Sequence, residues 1–195
     1  MKDRVSGSEK NGPDRPATIV ASPHLVSERA SELSEFEYGL VLAANAFNRW
    51  IVRCMAAAGN EDLAALDIQV LHNLNHPSRE KKLADICFVL NIEDSHTVNY
   101  ALKKLLKMDL ITGTRRGKEV FYTASDQGQA LCAKYRTVRE ACLVDALEVF
   151  TGETFTNTKG EKSVKDLNQQ IGDSAGLLRA LSGLYDQAAR SATSL

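Results

Sequence analysis

A chain of 195 residues, 44% hydrophobic and 25% charged, is long enough to bury a core and has the composition of an ordinary globular protein. Its formal net charge of -1 excludes a uniformly basic chromatin-type binder and directs attention to local charge. No run approaches the roughly 18 consecutive apolar residues that a membrane span needs, and the opening stretch has no apolar core of a signal peptide, so the expectation is a cytoplasmic protein without a membrane partner.

Residues 1–26 mix charge, Gly, Ser and Pro without periodicity and are expected to form a disordered arm. From about Ser27 to Ala58, Phe36, Leu40, Ala43, Phe47, Trp50, Ile51 and Cys54 recur at spacings of three and four, which predicts a long amphipathic helix. Gly59 suits its left-handed stop, and Asn60 can cap the next helix. That second helix is expected from Glu61 to about Asn75, with Leu63, Leu66, Val70, Leu71 and Leu74 on one face, stopped by His76-Pro77-Ser78. A third, short helix spans about Lys81 to Leu90, with Leu83, Ile86, Cys87 and Leu90 inward. Asn91, which enters the left-handed region cheaply, ends it. Ile92 plugs the turn.

Asp94 or Ser95 then caps a fourth helix reaching about Met108, with Val98, Ala101, Leu102 and Leu105 inward. Beyond it the period falls to two. The runs 110–115 and 119–123 read as strands, and Arg116-Gly117-Lys118 between them reads as a hairpin turn. A fifth helix starts near Ser125-Asp126 and carries Leu131, Tyr135, Val138, Cys142, Ala146 and Val149. A polar loop comes next, over 151–163. A last helix runs from about Val164 to Arg190, weakened by Gly172, Gly176 and Gly183 and open to a break there.

The order helix, helix, helix, hairpin over 60–124 is that of a winged helix-turn-helix, so the fold class expected is mainly α with a small β-hairpin wing. Charge supports a function for it. Between Ser95 and Lys118 six basic residues face one acid, Asp109, giving that stretch +5 while the rest of the chain carries -6. The outward face of the fourth helix would present Ser95, His96, Thr97, Asn99, Tyr100, Lys103 and Lys104: an amide, hydroxyls, an imidazole and cations, which is the chemistry that reading base edges requires. The wing tip adds Arg115, Arg116 and Lys118 around Gly117, suited to phosphate. Double-stranded DNA is the expected partner, with these ten residues as the DNA-binding set. The alternative is a winged-helix protein-interaction module that reads no bases.

Enzymatic chemistry is not expected. There is no phosphate-cradling glycine loop and no nucleophile elbow, and His24, His72, His76 and His96 lack metal-ligand spacing with one another or with the cysteines, so neither cofactor nor metal is expected. Cys54, Cys87, Cys132 and Cys142 each fall where a small apolar residue fits a helix, and buried free thiols are expected.

The stretches Leu83-Ala84-Asp85-Ile86-Cys87 with Leu90-Asn91-Ile92, Thr97-Val98-Asn99 with Leu102-Lys103-Lys104-Leu105, Leu110-Ile111, Thr114-Arg115-Arg116-Gly117-Lys118, and Thr123 with Gly128 resemble the MarR family of bacterial transcription regulators. One long helix before the winged helix and two after it also resemble that family across about 27–190. Asp109 departs from the pattern, standing where the family commonly has Gly, and the wing lacks the usual Asp-Arg pair.

The resemblance implies a homodimeric repressor binding a pseudo-palindromic operator, with a dimerisation helix over 27–59 and C-terminal dimerisation helices over 125–195. The apolar stripes of the first and last two helices support that pairing independently. It further implies a pocket for a small aromatic or amphipathic effector, for which Phe47, Trp50, Ile51 and Leu66 are the candidate lining residues. Some relatives sense oxidants through a cysteine near the start of the first helix. Cys54 stands near the end of that helix, and this property does not carry over.

Overall fold

The computed structural model describes residues 29–76, 79–146 and 167–192. The arm expected over 1–26, Pro77, Ser78, Val149, the loop over 151–163 and the expected start at Val164 lie outside the described residues. Two compact units are present, one ending at Cys132 and one beginning at Ala133.

The first unit opens with α1 (Ser31–Ala57). Its last turns bury Ile51, Cys54 and Met55, while Val41, Leu42 and Phe47 farther up the helix are exposed. Gly59, at φ 104°, ends it as the sequence predicts. α2 (Ala65–Leu74) begins four residues later than the periodicity places it. The physical reason is local. The Asn60 carboxamide accepts the Asp62 N–H at 3.2 Å and closes a turn. Leu63 is buried ahead of the helix, and the Asp67 carboxylate then accepts the Ala64 N–H at 2.9 Å to start it.

The third element differs from expectation. Lys81–Lys82 form a two-residue strand, β1, pairing antiparallel with Tyr122 and Phe121, and α3 (Leu83–Leu90) starts only afterwards. The Lys81 ammonium donates to the Asn73 carbonyl at 2.6 Å and to its side-chain oxygen at 2.9 Å, closing the C-terminal end of α2. Burial there pushes the Lys81 pKa below its ordinary value. Asn91 adopts φ 53°, the left-handed stop read from the sequence, and the Ile92 N–H returns to the Cys87 carbonyl at 2.9 Å.

α4 (Ser95–Lys107) is capped by Asp94, whose carboxylate accepts the His96 N–H at 2.9 Å. Val98, Ala101, Leu102 and Leu105 are buried against a core that includes Leu71, Leu74 and Ile86. Each such aliphatic side chain contributes about 1.5–3 kcal/mol by leaving water. After α4, Asp109 turns the chain at φ 55°. β2 (Ile111–Arg116) and β3 (Glu119–Ala124) come next as an antiparallel hairpin closed by Gly117 at φ 63°, and the sheet order is β1-β3-β2.

α5 (Asp126–Arg139) is entered through Ser125. The Ser125 hydroxyl accepts the Gly128 N–H at 3.1 Å and donates to the Asp109 carbonyl at 2.6 Å. Gly128 is itself buried against the Leu110 carbonyl, which a Cβ at this position would overlap.

In the second unit α5 runs on into a π-helical turn, Glu140–Val144, and α6 (Leu167–Ala192) is one continuous helix despite its three glycines. Two of the four cysteines differ from expectation. Cys54 and Cys132 are buried free thiols, the latter with its pKa pushed up to about 11 by desolvation, but Cys87 is half-buried and Cys142 is exposed. Cys87 lies at the edge of the α3 face that buries Ile86, next to the exposed Phe88, and Cys142 lies within the π turn, none of whose residues is buried. Among the described residues no helix is long and apolar enough to cross a membrane.

Candidate nucleic-acid interface

The burial of Val98, Ala101, Leu102 and Leu105 fixes the register of α4, and with it the residues that face outward. His96, Tyr100, Lys103 and Lys107 succeed one another at helical spacing along the outer face, and all four are exposed. Tyr100, at 73% exposure, is unusually bare for an aromatic side chain. The Lys103 ammonium stands 5.9 Å from the centre of its ring, a distance at which the cation and the π face attract. Ser95 and Thr97 are exposed beside this line, with the Thr97 hydroxyl donating to the Asp94 carbonyl at 2.8 Å, and Asn99 is half-buried on its flank.

Lys104 does not join that face. Its ammonium donates to the Asp67 carboxylate at 2.7 Å and to the Asp62 carbonyl, so it fastens α4 to the start of α2. Lys107 takes its place. The sequence counts it among the local cations, and the inward register of Val98 and Leu105 is the signal that puts it on the outer face.

The wing cations also divide. Arg116 pairs with Glu80, and its guanidinium lies 5.0 Å from the centre of the Phe121 ring. Next to the wing's turn, Lys82 and Glu119 are 2.9 Å apart, a pairing that raises the Lys82 pKa and ties β1 to the hairpin. Arg115 instead folds over the turn, donating from Nε to the Gly117 carbonyl at 3.2 Å. Lys118 is exposed and makes no ion pair among the described residues. The outward positive charge of the wing therefore rests on Arg115 and Lys118.

The candidate effector residues are placed less uniformly. Ile51 is 2% exposed and belongs to the core where α1 meets α2, Trp50 and Leu66 are half-buried, and Phe47 is exposed. Among the described residues no group of His, Cys, Asp and Glu could hold a metal ion.

Comparison with known proteins matches residues 63–128 to a family model described as a winged helix DNA-binding domain. No curated protein matches the sequence. Among solved structures, the transcriptional repressor CouR bound to p-coumaroyl-CoA is similar at a TM-score of 0.56 and 20% identity, covering 80% of this chain and 98% of that one. CouR bound to a 23-mer DNA duplex is similar at 0.53 and 19%, covering 82% and 99%. RV1404 from Mycobacterium tuberculosis is similar at 0.55 and 12%, covering 77% and 97%. A MarR family transcription regulator, SP03579, is similar at 0.55 and 15%, covering 82% and 99%. A winged helix bearing an outward line of polar and cationic side chains, set between long helices, thus gives this chain the fold of the MarR family regulators.

Proposed function

We propose that this protein is a ligand-responsive homodimeric repressor that binds a pseudo-palindromic operator through α4 and the wing. The observation that carries the reading is the exposed line His96, Tyr100, Lys103 and Lys107, flanked by Thr97 and Asn99, in the same winged helix as the wing cations Arg115 and Lys118. Base-edge chemistry on a helix and unpaired cations on a hairpin are the two components of major-groove reading with backbone positioning. Dimerisation is supported by the exposed apolar residues of α1 (Val41, Leu42, Phe47) and of α6 (Ile171, Leu177, Leu178, Leu184), more than a monomer leaves in water. Two copies would set half-sites about 34–36 Å apart. That CouR has been seen with DNA and with p-coumaroyl-CoA supports both partner classes for this fold.

The test is DNA affinity against salt on a palindromic site selected from a random library. With about 6–10 phosphate contacts per dimer, affinity should drop by about 10³–10⁵ between 50 and 200 mM salt. A flat response sinks the reading. Arg115→Ala with Lys118→Ala should weaken all sequences about equally, whereas Asn99→Ala should change the preference among them.

One observation favours a second reading, the protein-interaction module. Phe88 is 86% exposed on α3 beside exposed Val89, an apolar pair that DNA does not require. A chain that scatters light as a monomer and retards no DNA would favour that reading.

A further inference from the structure

The outer face of α3 carries a patch that the proposed DNA contacts do not use. Ile86 is buried on the inner face, and the residues turned away from it, Ala84, Asp85, Phe88 and Val89, are all exposed. Phe88 is 86% exposed and Val89 56%. Asp85 precedes them by three and four positions and so shares their face. The Ile92 N–H, bonded to the Cys87 carbonyl at 2.9 Å, folds the next turn back against the end of α3, and that turn carries the exposed Glu93 and Asp94. From Leu83 to Asp94 the chain holds these three acids and no base, a charge of -3, whereas Ser95 to Lys118 holds +5. The patch is apolar at its centre, acidic at its edge and opposite in sign to the surface that follows it.

From this arrangement we infer that the outer face of α3 docks a cationic amphipathic helix of another protein, whose apolar side covers Phe88 and Val89 and whose basic side chains meet the three acids. An exposed aromatic anchor within a charged rim is how protein contacts concentrate their binding energy. DNA does not fit this face, because its phosphates would meet carboxylates of like charge. A second copy presenting the same face would set Asp85 and Glu93 against their own counterparts, so an isologous contact there opposes itself. The apolar residues proposed for the dimer lie instead on α1 and α6. With about two turns of one helix to offer, the patch suits a single helical segment and a transient contact rather than a broad interface. Docking through α3 and DNA binding through α4 use different faces, so both can operate on one chain and neither requires the other.

The experiment uses the full chain and a synthetic amphipathic helical peptide of leucine and lysine, followed by methyl NMR of Ala84 and Val89 and by fluorescence anisotropy of the labelled peptide. Both methyl signals should shift, and the same peptide with glutamate in place of lysine should shift neither. Phe88→Ser should weaken binding at least about tenfold, the loss expected for an aromatic anchor, and leave DNA affinity unchanged. Glu93→Gln should weaken binding about two- to fivefold, as for one exposed charge pair. Equal binding by Phe88→Ser and wild type, or shifts confined to α1 and α6, overturns the docking face. A glutamate peptide that binds as well as the lysine peptide overturns it too. Ala84 and Val89 signals that move with protein concentration alone, and stop moving in Phe88→Ser, overturn it in favour of a second copy. Methyls shielded from a soluble paramagnetic agent in the free chain overturn it in favour of a segment of the chain itself. Lost DNA affinity in Phe88→Ser assigns the face to DNA and overturns it as well. A wild-type chain that binds the peptide in this pattern but no DNA supports the docking face while refuting the DNA reading.

Discussion

Lys104 on α4 reaches back to Asp67 on α2, with ammonium and carboxylate 2.7 Å apart and the acid almost fully buried. The same carboxylate accepts the Ala64 N–H, and the same ammonium reaches the Asp62 carbonyl, so one ion pair joins the loop before α2, the first turn of α2 and the presenting helix. A lysine that composition assigns to the DNA face is thereby a fastener that sets the angle at which that face is offered.

Replacing Lys104 by Ala should therefore be read in stability first. It leaves Asp67 buried without its cation, and because the lysine is itself partly solvated the expected loss is about 1–3 kcal/mol, below the full cost of breaking a fully buried pair. Lys103→Ala, one residue away, should leave stability within about 0.5 kcal/mol and weaken DNA binding. Urea unfolding of the two variants separates the roles. Equal stability loss in both would refute the division.

Gly128 offers a sharper test of packing. A Cβ there overlaps the Leu110 carbonyl, and that neighbour is backbone that cannot swing aside. Gly128→Ala should destabilise the protein by about 3 kcal/mol, the upper range for overpacking, although alanine is the better helix former. A thermal midpoint at or above that of wild type would show that α5 can slide along the chain at Leu110.

At Asp109 the prediction runs the other way. The residue holds φ 55°, a left-handed backbone angle that glycine adopts at least cost. Asp109→Ala should cost up to about 1 kcal/mol, because alanine keeps the β-carbon strain of the left-handed region and loses the short polar side chain that eases it. Asp109→Gly should be neutral or slightly stabilising. Chemical denaturation of the pair checks both, and a loss in the glycine variant equal to that in the alanine variant would mean that the aspartate side chain, not its backbone angle, is what matters.

Burial lowers the His72 pKa below its usual 6.5. The native state then binds fewer protons than the unfolded chain between these two values. Its contribution to stability is therefore full above about pH 6.5 and declines as pH falls from there through the lower native value, then levels for this group. His72→Gln should flatten that stretch of the profile. Urea midpoints of both proteins at pH 7.5 and 5.5 measure it, and parallel losses would assign the acid sensitivity elsewhere.

Much of this architecture was legible from residues alone, because the responsible interactions are local. The 3.6-residue recurrence of Val98, Ala101, Leu102 and Leu105 marks α4 and its buried face, Asn91 marks the end of α3, Asp94 supplies the cap, and Gly117 marks the hairpin tip. Each of these depends on neighbours within a few positions. Chain neighbours cannot reveal pairing at a distance. β1 exists only because Lys81 and Lys82 meet Tyr122 and Phe121 some forty positions on, and two lysines ahead of an apolar run otherwise read as helix. The division of the cations has the same origin. Lys104 is claimed by Asp67 and Arg116 by Glu80, while Arg115, Lys118, Lys103 and Lys107 stay outward. Sequence by itself determined that a cationic winged helix would form. Only the tertiary structure decided which of its cations remain available to a ligand, because an ion pair depends on distance in space.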